Sequence, residues 1–447
     1  MASEDLSKAH IAELHERAAA AGIPGFRRLR REELIERLDG DGGGGGDEGG
    51  GEESEKPRAT RSRRGGRSRR SGRGGERPAR DRERPDRDSE PERSDEEASG
   101  EPVSGVLDVV GAGHGFLRLK GLEPDPDDIY ISASQIRRCE LRAGDQVEGP
   151  SRPPRRGERH PALVRVETVN GAEPGGERSA GFDQLTPVVP HRRLPLAPKE
   201  DDVLLRAVDL LAPLAFGQRV LVIAGPRSGR TTLLRAIVES IDSGKEGPGV
   251  IVLLVDERPE EVTAWKRLAG DDAEIAAAPA DLEAADQVRH AELAMARAKR
   301  RAESGEDVVV IVDSLTRLGV SYRDPIAIKP IFGAGRELEE EGSGSLTVIA
   351  TVLRGTEDGE GALEAVETTE NATIVLDAEL AGAGIAPAID VTQTRESGEE
   401  ELRETGEIEA VRRLREELGD ADTRTAAEQL GERIRSSASN AELLSSL

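Results

Sequence analysis

Between the apolar run Val220-Leu221-Val222-Ile223-Ala224 and the helical run Leu233-Leu234-Arg235-Ala236-Ile237 lies Gly225-Pro226-Arg227-Ser228-Gly229-Arg230-Thr231-Thr232. A strand, a Gly-bearing loop and a helix in that order can cradle phosphate, because backbone N–H groups at a helix N-terminus converge on an anion. The general pattern is G-x-x-x-x-G-K-[ST], in which the Lys reaches the outer phosphates and the hydroxyl holds Mg²⁺. Thr231 supplies the hydroxyl, while Ala224 stands at the first Gly position and Arg230 at the Lys position. Arginine keeps the charge but presents a planar fork in place of a compact ammonium. The chain holds 8 lysines against 55 arginines, so the exchange follows a drift in composition.

Two further apolar runs end in carboxylates. Val250–Val255 leads into Asp256-Glu257-Arg258-Pro259-Glu260-Glu261, and Val308–Val312 leads into Asp313-Ser314. The C-terminal ends of parallel strands open onto the crevice beside such a loop. Asp313 is therefore expected beside Mg²⁺, and Glu257 is expected to polarise an attacking water. The implied ligand is a nucleotide with Mg²⁺.

A second constellation lies upstream. Gly113-His114-Gly115-Phe116-Leu117-Arg118 places Phe116 and Arg118 on one side of a strand, and Tyr130 falls on the next strand. An aromatic beside a cation suits base stacking with phosphate contact, so a nucleic-acid strand with accessible bases fits this face. The chain has only 5 Phe, 2 Tyr and 1 Trp, which makes two aromatics on one face informative.

These residues need elements to hold them. Leu6, Ile11, Leu14 and Ala18, then Leu29, Leu34, Ile35 and Leu38, mark two short helices around Gly22-Ile23-Pro24-Gly25, a small helical module over 1–38. Residues 39–101 are low in complexity, with five glycines from Gly42 to Gly46 and seven arginines from Arg61 to Arg73. That composition cannot bury enough surface to fold, so a disordered linker with some RNA affinity is expected. Over 102–175, five short strands between Gly, Pro and Asp turns predict a small β-barrel of the oligonucleotide-binding, cold-shock type. A connector covers 176–200. Strands and helices then alternate over 201–436, which predicts a parallel α/β sheet. Its strands are Arg219–Ala224, Val250–Val255, Val308–Val312, Leu346–Thr351 and Ala372–Leu376. Helices are expected at Asp281–Glu303, Ile408–Leu418 and Thr425–Arg435, with Trp265 in packing and a polar tail at 437–447.

Composition bounds the rest. Among 447 residues, 63 Lys+Arg face 88 Asp+Glu, a formal charge of −25, and only 35% are hydrophobic. That excludes one continuous core. The single Cys139 excludes an internal disulfide framework and fits a reducing compartment. The six His are scattered, so no metal centre built on them is expected. No apolar run approaches the ~20 residues a bilayer crossing needs, and the polar N-terminus lacks a signal-peptide pattern. A cytoplasmic protein without a membrane partner is expected.

The sequence also resembles the bacterial Rho family of transcription termination factors. The resemblance runs through Gly25-Phe26-Arg27-Arg28-Leu29-Arg30, Gly115-Phe116-Leu117-Arg118, Asp127-Asp128-Ile129-Tyr130, Ser134-Gln135-Ile136-Arg137-Arg138, Arg152-Pro153-Pro154 and Leu185-Thr186-Pro187. It continues through Gly217-Gln218-Arg219, Asp256-Glu257-Arg258-Pro259-Glu260-Glu261-Val262-Thr263, Asp313-Ser314-Leu315-Thr316-Arg317-Leu318, Phe332-Gly333-Ala334-Gly335-Arg336 and Pro387-Ala388-Ile389-Asp390. It implies a RecA-like motor, an RNA-stimulated ATPase and helicase working as a hexameric ring, and an indirect partnership with RNA polymerase. By the same resemblance, the cofactors are ATP and Mg²⁺, the catalytic residues are Glu257 and Arg230, nucleotide contacts fall on Arg227, Ser228, Gly229, Arg230, Thr231, Thr232 and Arg258, and the Mg²⁺ contacts on Thr231 and Asp313. RNA contacts fall on Phe116, Arg118 and Tyr130, on His114 and His160 at two other aromatic places, and on Arg317. Three features depart from the family. Arg230 replaces the loop Lys. Only Arg323–Ile331 separates Tyr322 from Phe332, where the family carries a longer pore loop. Ala383-Gly384-Ile385-Ala386 lacks the arginine donated to a neighbouring subunit. They define an alternative: a divergent, hydrolysis-impaired paralogue that binds RNA or regulates an intact Rho in a mixed ring.

Overall fold

The computed structural model describes residues 100–447, apart from 112, 177–179, 195, 197–198, 242–246 and 270–272, together with Ala18, Ile35 and Leu38 on helical backbone. The helical module expected over 1–38 otherwise lies outside the described residues, as does the linker up to Gly100. Met1–Asp86 and Arg87–Leu447 form two separate units, and the elements below belong to the second.

Short alternating segments build the barrel. Its strands are β1 (Glu101–Val109), β2 (Gly115–Arg118), β3 (Ile129–Ile131), β4 (Gln146–Arg152), β5 (Ala162–Leu163) and β6 (Thr168–Val169). In Ile129-Tyr130-Ile131 the two isoleucines point inward and the tyrosine outward, the period-2 pattern of a half-buried strand. The sheet closes because nine-residue β1 is long enough to serve two partners. Its first part pairs with β4 and its last four residues pair with β2. Leu107, Leu117, Ile129, Ile131, Val147 and Leu163 fill the interior. Helix α1 (Ala133–Arg138) crosses one end, started by a capping box in which Ser132 and Gln135 bond each other's backbone N–H. The run Ala162–Val169 at the end of the barrel segment is two pieces on β4: Val164 donates to Pro150 O and Glu167 to Glu148 O, so between those bonds Arg165 and Val166 stand opposite the single Gly149. The barrel therefore has six strands where five were expected.

The second sheet explains its own sequence. Parallel strands β8 (Arg219–Ala224), β9 (Gly249–Val255), β10 (Ala273–Ala278), β11 (Val308–Asp313), β13 (Ser345–Leu353) and β14 (Ala372–Leu376) lie in the order β10-β9-β11-β13-β8-β14. Antiparallel β15 (Arg395–Glu396) closes one edge, and β12 (Arg336–Leu338) with β7 (Pro187–Val188) pairs alongside β13. Every residue of β9 is buried. Val250, Val252 and Leu254 join one core cluster, and Ile251, Leu253 and Val255 join the other. Both faces are covered, so such strands read as unbroken apolar runs.

Helices α2 (Val203–Leu211), α3 (Arg230–Ser240) and α4 (Pro259–Ala269) cover the first face, with Trp265 of α4 buried there as packing. Helices α5 (Ala284–Glu303), α6 (Leu315–Tyr322) and α7 (Glu357–Val366) cover the other. Helices α8 (Thr405–Gly419) and α9 (Thr423–Arg435) return to the first face. The expected polar tail is instead helix α10 (Asn440–Ser445), capped by Ser439, with Leu443 only 3% exposed in the core. The ordered domain therefore runs past 436.

The barrel rests on α5. Arg289 Nη2 lies 2.6 Å from Asp108 Oδ2, and Arg142 Nη2 lies 2.7 Å from Glu303 Oε2. Between them Gly144, at φ +84°, comes so near that a Cβ would stand 2.4 Å from the carbonyl carbon of Ala296. Only glycine fits that approach.

Candidate nucleotide and RNA sites

The turn after β8 is shaped by two left-handed residues, Arg227 at φ +62° and Gly229 at φ +93°. Ser228 stiffens it, donating its hydroxyl to Gly225 O at 2.9 Å. Helix α3 starts at Arg230, so the N–H groups of its first turn border the hollow under the loop. That hollow has a volume of about 590 Å³ and is lined by Gly225–Thr232 with Arg258, Arg317, Leu353, Arg354 and Thr356. Five arginines line it and no carboxylate does. The arrangement suits a polyanion: backbone donors at a helix start, surrounded by fixed positive charge. The residues expected to contact nucleotide, Arg227 to Thr232 and Arg258, all belong to this lining.

Glu257 follows β9 and is nearly buried, while Asp313 ends β11 at 1% exposure. Arg230 joins them: its Nη2 stands 3.1 Å from Glu257 Oε1 and its Nε 3.2 Å from Asp313 Oδ1. Thr351 donates its hydroxyl to the same Asp313 oxygen at 3.1 Å. Burial pushes the Asp313 carboxyl above its ordinary range; the Arg230 charge opposes this and the Glu257 charge adds to it. For a metal, the fit is poor in this arrangement. Asp313 and Thr231 are the oxygen donors named for Mg²⁺, yet a guanidinium already stands against Asp313, on the oxygen that Thr351 also uses.

Arg317 takes a place at the nucleotide hollow that the sequence reading did not give it. Expected among the RNA contacts, it lies in the first turn of α6 and lines the hollow. Its Nη1 donates to Glu257 Oε1 and, at 2.9 Å, to the Asp256 carbonyl. Sequence reasoning missed Leu353, Arg354 and Thr356. The signal was present, since they follow another apolar strand, β13, whose C-terminal end opens on the same side.

On the barrel, Phe116 and Tyr130 are cross-strand partners of β2 and β3, with ring centroids 6.0 Å apart. His114 lies 5.6 Å from Tyr130 and His160 lies 5.1 Å from Phe116. Four rings therefore share one patch, and Tyr130 is one of the few exposed large hydrophobic residues described. Rings so spaced can sandwich bases. Arg118 lies beneath these rings and not beside them at the surface. It is 5% exposed, donating Nε to Asp108 at 3.0 Å and Nη1 to Asp128 at 2.6 Å. From beneath, its guanidinium faces Phe116 at 5.7 Å from the ring centre. Burial alone would raise the Asp108 carboxyl; hydrogen bonds from Arg289 and Arg118 outweigh it and hold it low.

A closed barrel with a ring patch, joined to a sheet whose phosphate-loop hollow is lined by arginine, defines a nucleic-acid-binding P-loop protein. Comparison with known proteins agrees. Residues 103–175 match the Rho termination factor RNA-binding domain, and residues 205–328 match the nucleotide-binding domain of the ATP synthase alpha/beta family. The chain is 38% identical over 341 residues to transcription termination factor Rho of Bacillus subtilis, covering 71% of this chain and 79% of that protein. It is 37% identical over 369 residues to Rho of Aquifex aeolicus, covering 77% and 84%. The match to Rho of Streptomyces lividans, 38% over 366 residues, covers 77% of this chain and 51% of that protein. The chain belongs to the transcription termination factor Rho family. A solved type III secretion system ATPase overlaps 64% of this chain and 93% of its own, with TM-score 0.48 and 20% identity. Among the described residues, no helix is long and apolar enough to cross a membrane.

Proposed function

We propose that this chain is a Rho-type termination factor that holds single-stranded RNA on the ring patch and ATP in the arginine-lined hollow. RNA-dependent ATP hydrolysis then releases transcripts from RNA polymerase, with the chain working in a ring of like subunits. The observation that carries this reading is the 590 Å³ hollow, bounded by the loop Gly225–Thr232 and flanked by Glu257 and Asp313. Preorganised positive charge is what phosphoryl transfer chiefly demands of a protein. In this reading Arg227, Arg258 and Arg354 hold phosphate, and Glu257 orients water once Arg230 and Arg317 shift from it. Phe116, Tyr130, His114 and His160 stack bases.

Steady-state ATP hydrolysis by the full chain, with and without poly-pyrimidine RNA, tests the proposal. RNA should stimulate turnover. Tight RNA binding with no turnover at any RNA concentration would count against a motor and leave the hydrolysis-impaired, regulatory reading.

A further inference from the structure

Arg230 stands where a phosphate loop carries lysine, and its fork is engaged with carboxylates. Nε meets Asp313 and Nη2 meets Glu257, at 3.2 and 3.1 Å. One ammonium is a single point charge, whereas a guanidinium addresses two acceptors along two directions. Asp313 is almost wholly enclosed, where a carboxylate needs a matched cation. Arg317 supplies a second cation to Glu257. Two guanidiniums therefore face the two buried carboxylates, with the exposed Asp256 at 3.9 Å from Arg317 besides, so the buried charge is balanced before any ligand arrives. The other lining arginines, Arg227, Arg258 and Arg354, take part in no ion pair among the described residues and remain for phosphate.

Resting on the nucleotide site proposed above, we propose that Arg230 is a built-in cation between Glu257 and Asp313, so that this chain binds a nucleoside triphosphate without a divalent metal. A metal ordinarily fills two tasks at such a site: it neutralises the strand-end carboxylates and it screens the outer phosphates. Arg230 with Arg317 meets the first and the free arginines meet the second. A divalent ion entering there would face like charge from the Arg230 guanidinium and would find Asp313 Oδ1 already shared with Thr351.

The test is the affinity of the full chain for a fluorescent N-methylanthraniloyl-ATP, read by anisotropy in excess MgCl₂ and in excess EDTA. Wild-type affinities in the two buffers should agree within about threefold, because the neutralising charge is covalently present. Arg230→Lys, which keeps the charge and loses the fork, should bind about tenfold or more weakly in EDTA than in MgCl₂. A wild-type loss of tenfold or more in EDTA would overturn the proposal while leaving the nucleotide site intact. An Arg230→Lys chain as indifferent to EDTA as wild type would overturn the role of Arg230. No binding in either buffer would overturn the nucleotide site and this inference with it. The wild-type arm decides alone should the variant fail to fold, which a thermal denaturation curve reports.

Discussion

At the scale of single residues, the two sites are built from side chains of opposite habit. The patch on the barrel relies on rings at the surface, and the hollow relies on charges held in place by other charges. Phe116 is the centre of the patch, within 6.0 Å of His114, Tyr130 and His160 by ring centroid. Phe116→Ala should weaken poly-pyrimidine binding by about 1–3 kcal/mol, roughly 5- to 150-fold, as filter binding or anisotropy would measure. An unchanged affinity would move the RNA site off this patch. The residue types and spacing of the phosphate loop, Glu257, Asp313 and the two aromatics were legible in the chain, because strand ends and turns impose local patterns. Arg118 and Arg317 were not. Strand alternation correctly puts Arg118 on the Phe116 side, but it cannot see that Asp108 and Asp128 enclose it. Likewise Arg317 meets Glu257 only because two distant strand ends adjoin.

At the scale of elements, burial on both faces decided what could be read. Strands β8, β9, β11, β13 and β14 announce themselves as apolar runs rich in Val, Ile and Leu. Strand β10, Ala-Glu-Ile-Ala-Ala-Ala, does not, since alanine favours helix and only the pairing with β9 makes it a strand. Helix α10 hides for another reason. Its leucines sit among Ser, Asn and Glu over less than two turns, too short for a period to emerge. Yet Leu443 fills a place in the same cluster as Leu414, Leu430 and Ile434. Leu443→Ala should therefore destabilise the sheet domain by about 2–5 kcal/mol, read as a lower midpoint in urea unfolding. An effect within ~0.5 kcal/mol, the usual size at a surface position, would show that α10 does not belong to the core.

At the scale of the molecule, the barrel and the sheet domain share buried charge. Asp108 of the barrel takes guanidiniums from its own Arg118 and from Arg289 of α5. Its folded pKa lies below the ordinary 3.8, so its contribution is complete above that value and is lost as pH falls through the lower, folded value. Removing one partner of a buried pair costs about 3–5 kcal/mol, so Asp108→Asn should lose stability near that scale at pH 6 and much less near pH 2. Urea midpoints at the two pH values measure the difference, and equal losses at both would deny Asp108 this role. The same α5 also touches α6, where Ser321 donates to Gln287 at 2.6 Å. The ring patch and the helix bearing Arg317 thus belong to one continuous packed body.

The hollow's lining gives the whole chain an uneven electrical landscape. A molecule with formal charge −25 repels small anions on balance, yet it concentrates five guanidiniums at one mouth. Phosphate or sulfate in a buffer should therefore raise the apparent Kd for a labelled nucleotide, and salts carried through purification should shift that value from one preparation to the next.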